Sequence, residues 1–157
     1  MNALTRFRYF LWYFGRLKVP LIGYLRPKLI KLDEKQVITK LPLNRRSKNH
    51  LNSMYFGALA VGADLAGGLH AFYHAEQTKV KLSLVFKSFQ AQFLSRPESD
   101  VYFVCDMGED VKAMIEEAQK TGQRINKVIQ IKAFIHYPEK AEEVANFNLE
   151  LSLKVIN

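Results

Sequence analysis

Residues 53–75 read Ser-Met-Tyr-Phe-Gly-Ala-Leu-Ala-Val-Gly-Ala-Asp-Leu-Ala-Gly-Gly-Leu-His-Ala-Phe-Tyr-His-Ala. Ser53 is a good N-cap type, and the spacing that follows predicts one long helix to about Ala75. By intrinsic propensity the stretch is poor. Gly57, Gly62, Gly67 and Gly68 interrupt it, each interior glycine costing about 1 kcal/mol relative to alanine. Together with Ala58, Ala60, Ala63 and Ala66 they make a helix that pays off only if other backbone passes very close to it. Tertiary packing must override propensity here.

The chain around that helix reads mostly as strands. Lys28–Leu32 and Gln36–Leu43 are extended stretches joined by the polar turn Asp33-Glu34-Lys35, and a polar loop, 44–52, leads into the helix. After it, Val80, Leu82, Leu84 and Phe86 take alternate positions, and Phe89, Ala91 and Phe93 continue on the opposite phase. That one-residue slip near Lys87-Ser88 is the signature of a β-bulge. Val101–Cys105 is a short buried-type strand. Val111, Met114, Ile115 and Ala118 mark a helix from about Glu109 to Lys120, with acids at its start and Thr121-Gly122 at its end. Two further alternating runs follow, from Ile129 to Tyr137 and from Phe147 to Val155. Antiparallel strands with one long helix among them make an α+β plan, in which the sheet wraps around the central helix.

Before this body, Phe7, Phe10, Leu11, Phe14 and Leu17 follow helical spacing, with Tyr9 and Trp12 on the other side among Arg8 and Arg16. Pro20, Gly23 and Pro27 punctuate the exit. The organisation expected is an N-terminal amphipathic helix and linker over residues 1–27 and a second domain over 28–157. Arg6, Arg8, Arg16 and Lys18 break the segment well short of a spanning helix, and it lacks the clean apolar core and cleavage site of a signal peptide. Two roles fit the helix: packing on its own domain, or lying on a membrane interface.

With 157 residues the chain is one domain's worth, and its apolar content of 48% supports a real core, which excludes a disordered or collagen-like polymer. A single cysteine, Cys105, cannot close an internal disulfide, so nothing points to an oxidising compartment and a cytoplasmic location is expected. The net charge of +8 is unevenly spread: residues 1–50 hold twelve Lys/Arg against two acids, whereas the rest is slightly acidic. A basic front suits an anionic partner or a solvated rim. Nucleic acid fits poorly, because the basic residues are not interleaved with an aromatic strand platform.

Catalytic signatures such as G-x-S-x-G, the P-loop and C-x-x-C do not occur. His70 and His74 share a helix face, but Ala71 stands where a zinc protease carries glutamate and no third ligand is evident, so no metal is expected and the pair is read as surface or interface histidines. Asp64 needs an explanation. Its neighbours at helical spacing are Gly57, Ala60, Val61, Gly67, Gly68 and Ala71, and no Lys or Arg lies at i±3 or i±4. A carboxylate on a small-residue stripe is costly to bury unless something satisfies it. It is either hydrogen-bonded structurally or a general base or nucleophile in a cleft that small side chains keep open. The segment 49–57 leads into the helix and leaves free N–H groups near Gly57, about two turns before Asp64. Those orphan amides, with the positive helix end, suit a developing oxyanion.

The pattern Asn49, Tyr55-Phe56-Gly57 and Asp64, followed by a small-residue helix and alternating strands, resembles the hotdog-fold acyl-CoA thioesterases of the phenylacetate-degradation type. Arg45-Arg46-Ser47-Lys48-Asn49-His50 and Met54-Tyr55-Phe56-Gly57-Ala58 are similar to a bacterial branch of that group. The resemblance covers about residues 28–156 and implies an antiparallel sheet around a central helix, here with an extra N-terminal helix. It implies that Asp64 is the catalytic acid that activates water or attacks the thioester carbonyl. Gly57 falls on the glycine whose N–H polarises that carbonyl, and Asn49 on the residue that orders the site. His50, Ser53, Met54, Tyr55, Phe56 and Lys87 become substrate-binding candidates. Coenzyme A enters only as part of the substrate; Arg45, Arg46, Lys48 and Lys87 are candidates to meet its phosphates. In such folds a second subunit completes the site, so a homodimer or dimer of dimers is implied. Tyr55 and Phe56 depart from the His-Gly pair of better-known members and narrow the cleft. That departure motivates an alternative, a non-catalytic acyl-CoA or lipid-binding protein whose N-terminus touches membrane. A hotdog hydratase ranks last, because His70 lies about 240° round the helix from Asp64.

Overall fold

The computed structural model describes residues 2–156; Met1 and Asn157, the outer ends of the two expected domains, lie outside the described residues. The elements run α1 (Ala3–Leu17), α2 (Pro20–Leu25), β1 (Lys28–Leu32), β2 (Val37–Leu41), α3 (Phe56–Thr78), β3 (Lys81–Phe93), β4 (Val101–Cys105), α4 (Gly108–Thr121), β5 (Ile125–Ile135) and β6 (Glu142–Ile156). The six strands form one antiparallel sheet in the order β1-β2-β4-β5-β6-β3.

The sheet curls over α3, as the small-residue composition demands. Gly62 faces the Phe103 ring so closely that any side chain there would overlap it. Farther along the helix, a Cβ on Gly67 would sit 3.2 Å from Ile131 Cδ1. These contacts come from β4 and β5, so the glycines permit the approach of the sheet's centre. Buried residues of β4, β5, β6 and α4 close the main core, among them Val111, Ile129, Phe147, Leu149 and Leu151. The alternation of Leu149, Leu151 and Leu153 inward with Glu150 between them is the sequence pattern made physical.

A bulge lies where the phase change predicted it. The β3–β6 register shifts between Phe86 and Ser88, so Lys87 is the extra residue, and Phe89, Ala91 and Phe93 regain the face that Phe86 occupies. Among the described residues β3 pairs only with β6, which leaves its other edge free.

The N-terminal helix packs on its own domain. Phe7 and Leu11 join Ile22, Leu29, Leu65, Leu69 and Tyr73 in a second core between α1, β1 and the outer side of α3. Asn2 caps α1 by accepting from the Thr5 N–H at 2.9 Å. Two expectations need correcting. Leu17, placed in the packed stripe by its spacing, is exposed because the chain leaves the helix there. Residues 20–25, read as linker, form the short helix α2, started by Pro20 at its first position. α1 and α2 meet at Gly15 and Gly23 backbone to backbone, with no room for a Cβ on either.

The start of α3 also differs from expectation. Ser53 is not its N-cap: it is buried, and both its N–H and its hydroxyl donate to Asn49 Oδ1 at 3.2 Å. Asn49 holds Ser53 in a tight turn, and the helix begins two residues later than expected, with Tyr55 at the cap position and no side-chain cap bond.

Candidate active site

Gly57 occupies the second position of α3, where a backbone N–H has no carbonyl four residues back within the helix. With no side-chain cap on this end, its amide and the positive pole of α3 are available to an anionic group. The ring of Tyr55 folds against Gly57 so closely that a Cβ there would overlap it. Tyr55 and Phe56 pack on each other at 4.8 Å between ring centroids, and both are exposed.

The loop that delivers this end is held by backbone bonds. Tyr55 N–H donates to Ser47 O at 2.8 Å, and Met54 N–H to Pro97 O at 2.9 Å. Asn49 Oδ1 accepts from Leu51 N–H as well as from Ser53, so the asparagine orders the loop. Met54 and Ser53 are buried, which makes them supports of the site rather than surfaces for a ligand. His50 is exposed at the loop's tip.

Asp64 sits on the same face of α3 as Gly57, Gly67, Gly68 and Ala71. The C-terminal half of that face is covered: the Phe86 ring lies 3.5 Å from where a Gly67 Cβ would be. At the other end Phe93 of β3 meets Phe56, with centroids 6.4 Å apart. Asp64 lies between these two contacts, on the part of the face that the chain leaves open. The residue is exposed, and among the described residues no ion pair or side-chain hydrogen bond involves it. Protein atoms crowd it even so, and desolvation pushes its pKa up from the ordinary aspartate value. Asp64 is open to the outside, and Val85, Phe89, Phe93 and Leu94 are exposed along the neighbouring edge.

Asp64, Gly57, Tyr55 and Phe56 are thus brought to one face, with Asn49 behind them. The basic candidates are scattered. Lys87 faces Glu150 at 3.9 Å on the bulge. Lys48 Nζ donates to Asn52 Oδ1 at 3.1 Å. Arg45 is exposed in the loop. Arg46 turns to the N-terminal side, donating to Tyr24 O at 3.2 Å and stacking over the Tyr24 ring.

The reading of His70 and His74 as surface or interface residues is overturned. Both are buried, their rings stacked 5.9 Å apart beside the start of α4. Among the described residues no well-aligned hydrogen bond reaches either His70 nitrogen or His74 Nε2, although the Asp33 backbone lies beside His70 and the Gly108 and Glu34 backbones beside His74. Burial and the neighbouring His74 hold the His70 pKa down at about 4, so the ring is neutral at pH 7. No cluster of three or more potential metal ligands occurs among the described residues. Cys105 is buried, and desolvation pushes its thiol up to about 11, which removes it as a nucleophile. Sequence reasoning missed the aromatic contact of Phe56 with Phe93; the restored phase after the bulge was the available signal.

The family profile described as Domain of unknown function (DUF4442) matches residues 8–152. None of the curated proteins matches the chain. Solved structures do. A protein of unknown function from Chlorobaculum tepidum superposes with a TM-score of 0.83 at 13% identity, over 99% of this chain and 100% of that one. A candidate thioesterase from Shewanella oneidensis gives 0.80 at 11% identity, over 96% and 99%. A thioesterase family protein from Silicibacter pomeroyi gives 0.68 at 17% identity, over 92% and 94%. At such identities the likeness is one of fold, and that fold is the hotdog fold.

Proposed function

The chain belongs to the DUF4442 family, and from that premise and the surroundings of Asp64 we propose that it is a thioester hydrolase acting on an acyl-CoA or a related thioester. The observation that carries this reading is Asp64 itself: a carboxylate with no ion pair or side-chain hydrogen bond among the described residues, on a glycine-lined helix face two turns from the uncapped amino end that carries Gly57. Thioesterases among the structures of the same fold agree with it.

In this reading Asp64 takes a proton from water as the water oxygen attacks the thioester carbonyl, or attacks that carbon itself to give, once the thiolate has left, an acyl–Asp64 anhydride that water then hydrolyses. The oxygen of the tetrahedral intermediate accepts from the Gly57 N–H, and collapse expels the thiolate, which leaves as the free thiol. The products are a carboxylic acid and coenzyme A. A raised pKa suits the role, since a stronger base removes the proton more readily.

Helix geometry supports a site shared between two subunits. Gly57 and Asp64 are about 10 Å apart along α3, too far to serve one carbonyl together. Two α3 helices running antiparallel across a two-fold axis bring Asp64 of one protomer opposite Gly57 of the partner subunit. The free edge of β3 and the exposed Phe89 and Phe93 supply the surface for that pairing. A homodimer, or a dimer of dimers, is therefore part of the proposal. Exposed Arg45 is the cation left for the phosphates of coenzyme A, since Lys87 already faces Glu150.

A second reading, binding without hydrolysis, rests on the Tyr55 ring packed against Gly57. A panel of acyl-CoA esters of graded chain length, assayed for thiol release and for binding, separates the two. Turnover of at least one ester supports the hydrolase, whereas saturable binding with no release from any ester favours the carrier.

A further inference from the structure

A groove of about 900 Å³ lies between α1, α2 and β1, and neither Asp64 nor Gly57 lines it. Its walls are apolar, built by Leu11, Trp12, Ile22, Leu29 and Ile30. Its rim is cationic, carrying Arg8, Arg16, Arg26, Lys28 and Arg46, and no acid lines it. Sequence explains the excess, since no Asp or Glu occurs between residues 2 and 32. Two of the cations are fixed in place: Arg8 Nε donates to Leu29 O at 2.9 Å, and Arg46 is held by Tyr24. Arg16, Arg26 and Lys28 are exposed and join no ion pair among the described residues.

The surface around the groove is unusually apolar for one so basic. Tyr9, Trp12, Leu17, Leu21 and Tyr24 are each more than half exposed on α1 and α2. They are not core residues left over, because the inner stripe of Phe7 and Leu11 already fills the interior. Aromatic rings and leucines among Arg and Lys are the composition that partitions into the headgroup region of a bilayer.

We propose that the α1–α2 face docks on an anionic phospholipid membrane, with Trp12 and its neighbours among the acyl chains and the groove holding one lipid, its phosphate at the Arg16 and Lys28 rim. A second copy of the chain fits this face poorly, since a two-fold contact would set like charges against each other. Nucleic acid would leave Leu17, Leu21 and Ile30 with nothing to bury against. The face is separate from Asp64, so the inference stands or falls independently of the hydrolase reading.

The sole tryptophan makes the test direct, because Trp12 lies in the proposed contact. The full chain is titrated with vesicles of phosphatidylcholine, of phosphatidylcholine mixed with phosphatidylglycerol, and of the same mixture with brominated chains. Expected are a blue shift of Trp12 emission with the anionic vesicles, quenching by the brominated chains, and weakening by salt. Arg16→Gln combined with Lys28→Gln should weaken vesicle affinity about 30-fold. Both positions are exposed, so circular dichroism should match wild type; Asp64→Asn should bind vesicles as wild type does. No blue shift, an equal shift with pure phosphatidylcholine, an unchanged affinity in the double variant, or binding to single-stranded DNA in place of vesicles would each overturn the proposal.

Discussion

Acid should destabilise this protein through His70. The ring is fully buried, and its pKa is held at about 4 against an ordinary value of 6.5. An unfolded chain takes up a proton near pH 6.5, but the folded one does not until about pH 4. The stability tied to the neutral ring is complete above 6.5 and is lost as pH falls through that window. A shift of this size corresponds to about 3 kcal/mol in full, and to about 2.5 kcal/mol by pH 4.5. His74, also lowered by burial, adds in the same direction. Urea unfolding from pH 7.5 to pH 4.5 measures the effect, with His70→Leu as the comparison. At pH 7.5 that variant should lie close to wild type, because removing a poorly satisfied buried ring offsets the loss of its contact with the Asp33 backbone. At pH 4.5 it should be the more stable protein by roughly 2 kcal/mol or more. Parallel stability-versus-pH curves for the two proteins, or an imidazole resonance of His70 titrating near pH 6.5 in the folded state, would refute the reasoning.

Three other outcomes are expected. Gly62→Ala drives a methyl into the Phe103 ring and should destabilise by about 1–3 kcal/mol, read as a lower urea midpoint with an unchanged slope. Gly23→Ala meets the Gly15 carbonyl and should detach α2, leaving the main core intact; faster amide exchange confined to residues 3–30 would record it. For hydrolysis, the acid limb of kcat/KM against pH should have its midpoint above the ordinary aspartate value, because desolvation raises the Asp64 pKa and the carboxylate is the active form.

Where one physical cause dominates, the sequence was enough to see the structure. The alternation through Leu149, Leu151 and Leu153 has a single cause, one buried sheet face, and the slip at Lys87 has only one geometric meaning. The glycines of α3 were legible for the same reason, since nothing but close packing compensates their cost. Competing bonds hid other features. Ser53 has the chemistry of a cap, yet Asn49 ties it into a turn that ends before the helix starts, a preference no propensity scale contains. His70 and His74 are polar by type, and only the fold shows that the start of α4 closes over them. The turn after Leu17 and the groove beside it arise from the Gly15–Gly23 contact, which is invisible until α2 exists. At the candidate site, Asp64 and Gly57 stood out as residues by their chemistry, and the seven positions between them already place them on one face of α3.

The most direct test of the account is kcat/KM for wild type and Asp64→Asn on the acyl-CoA ester that wild type cleaves best, with binding and unfolding measured alongside. Asp64 has no partner to lose, so the variant should fold and bind as wild type does while kcat/KM falls at least about 100-fold. Undiminished thiol release by a correctly folded Asp64→Asn would contradict the central claim.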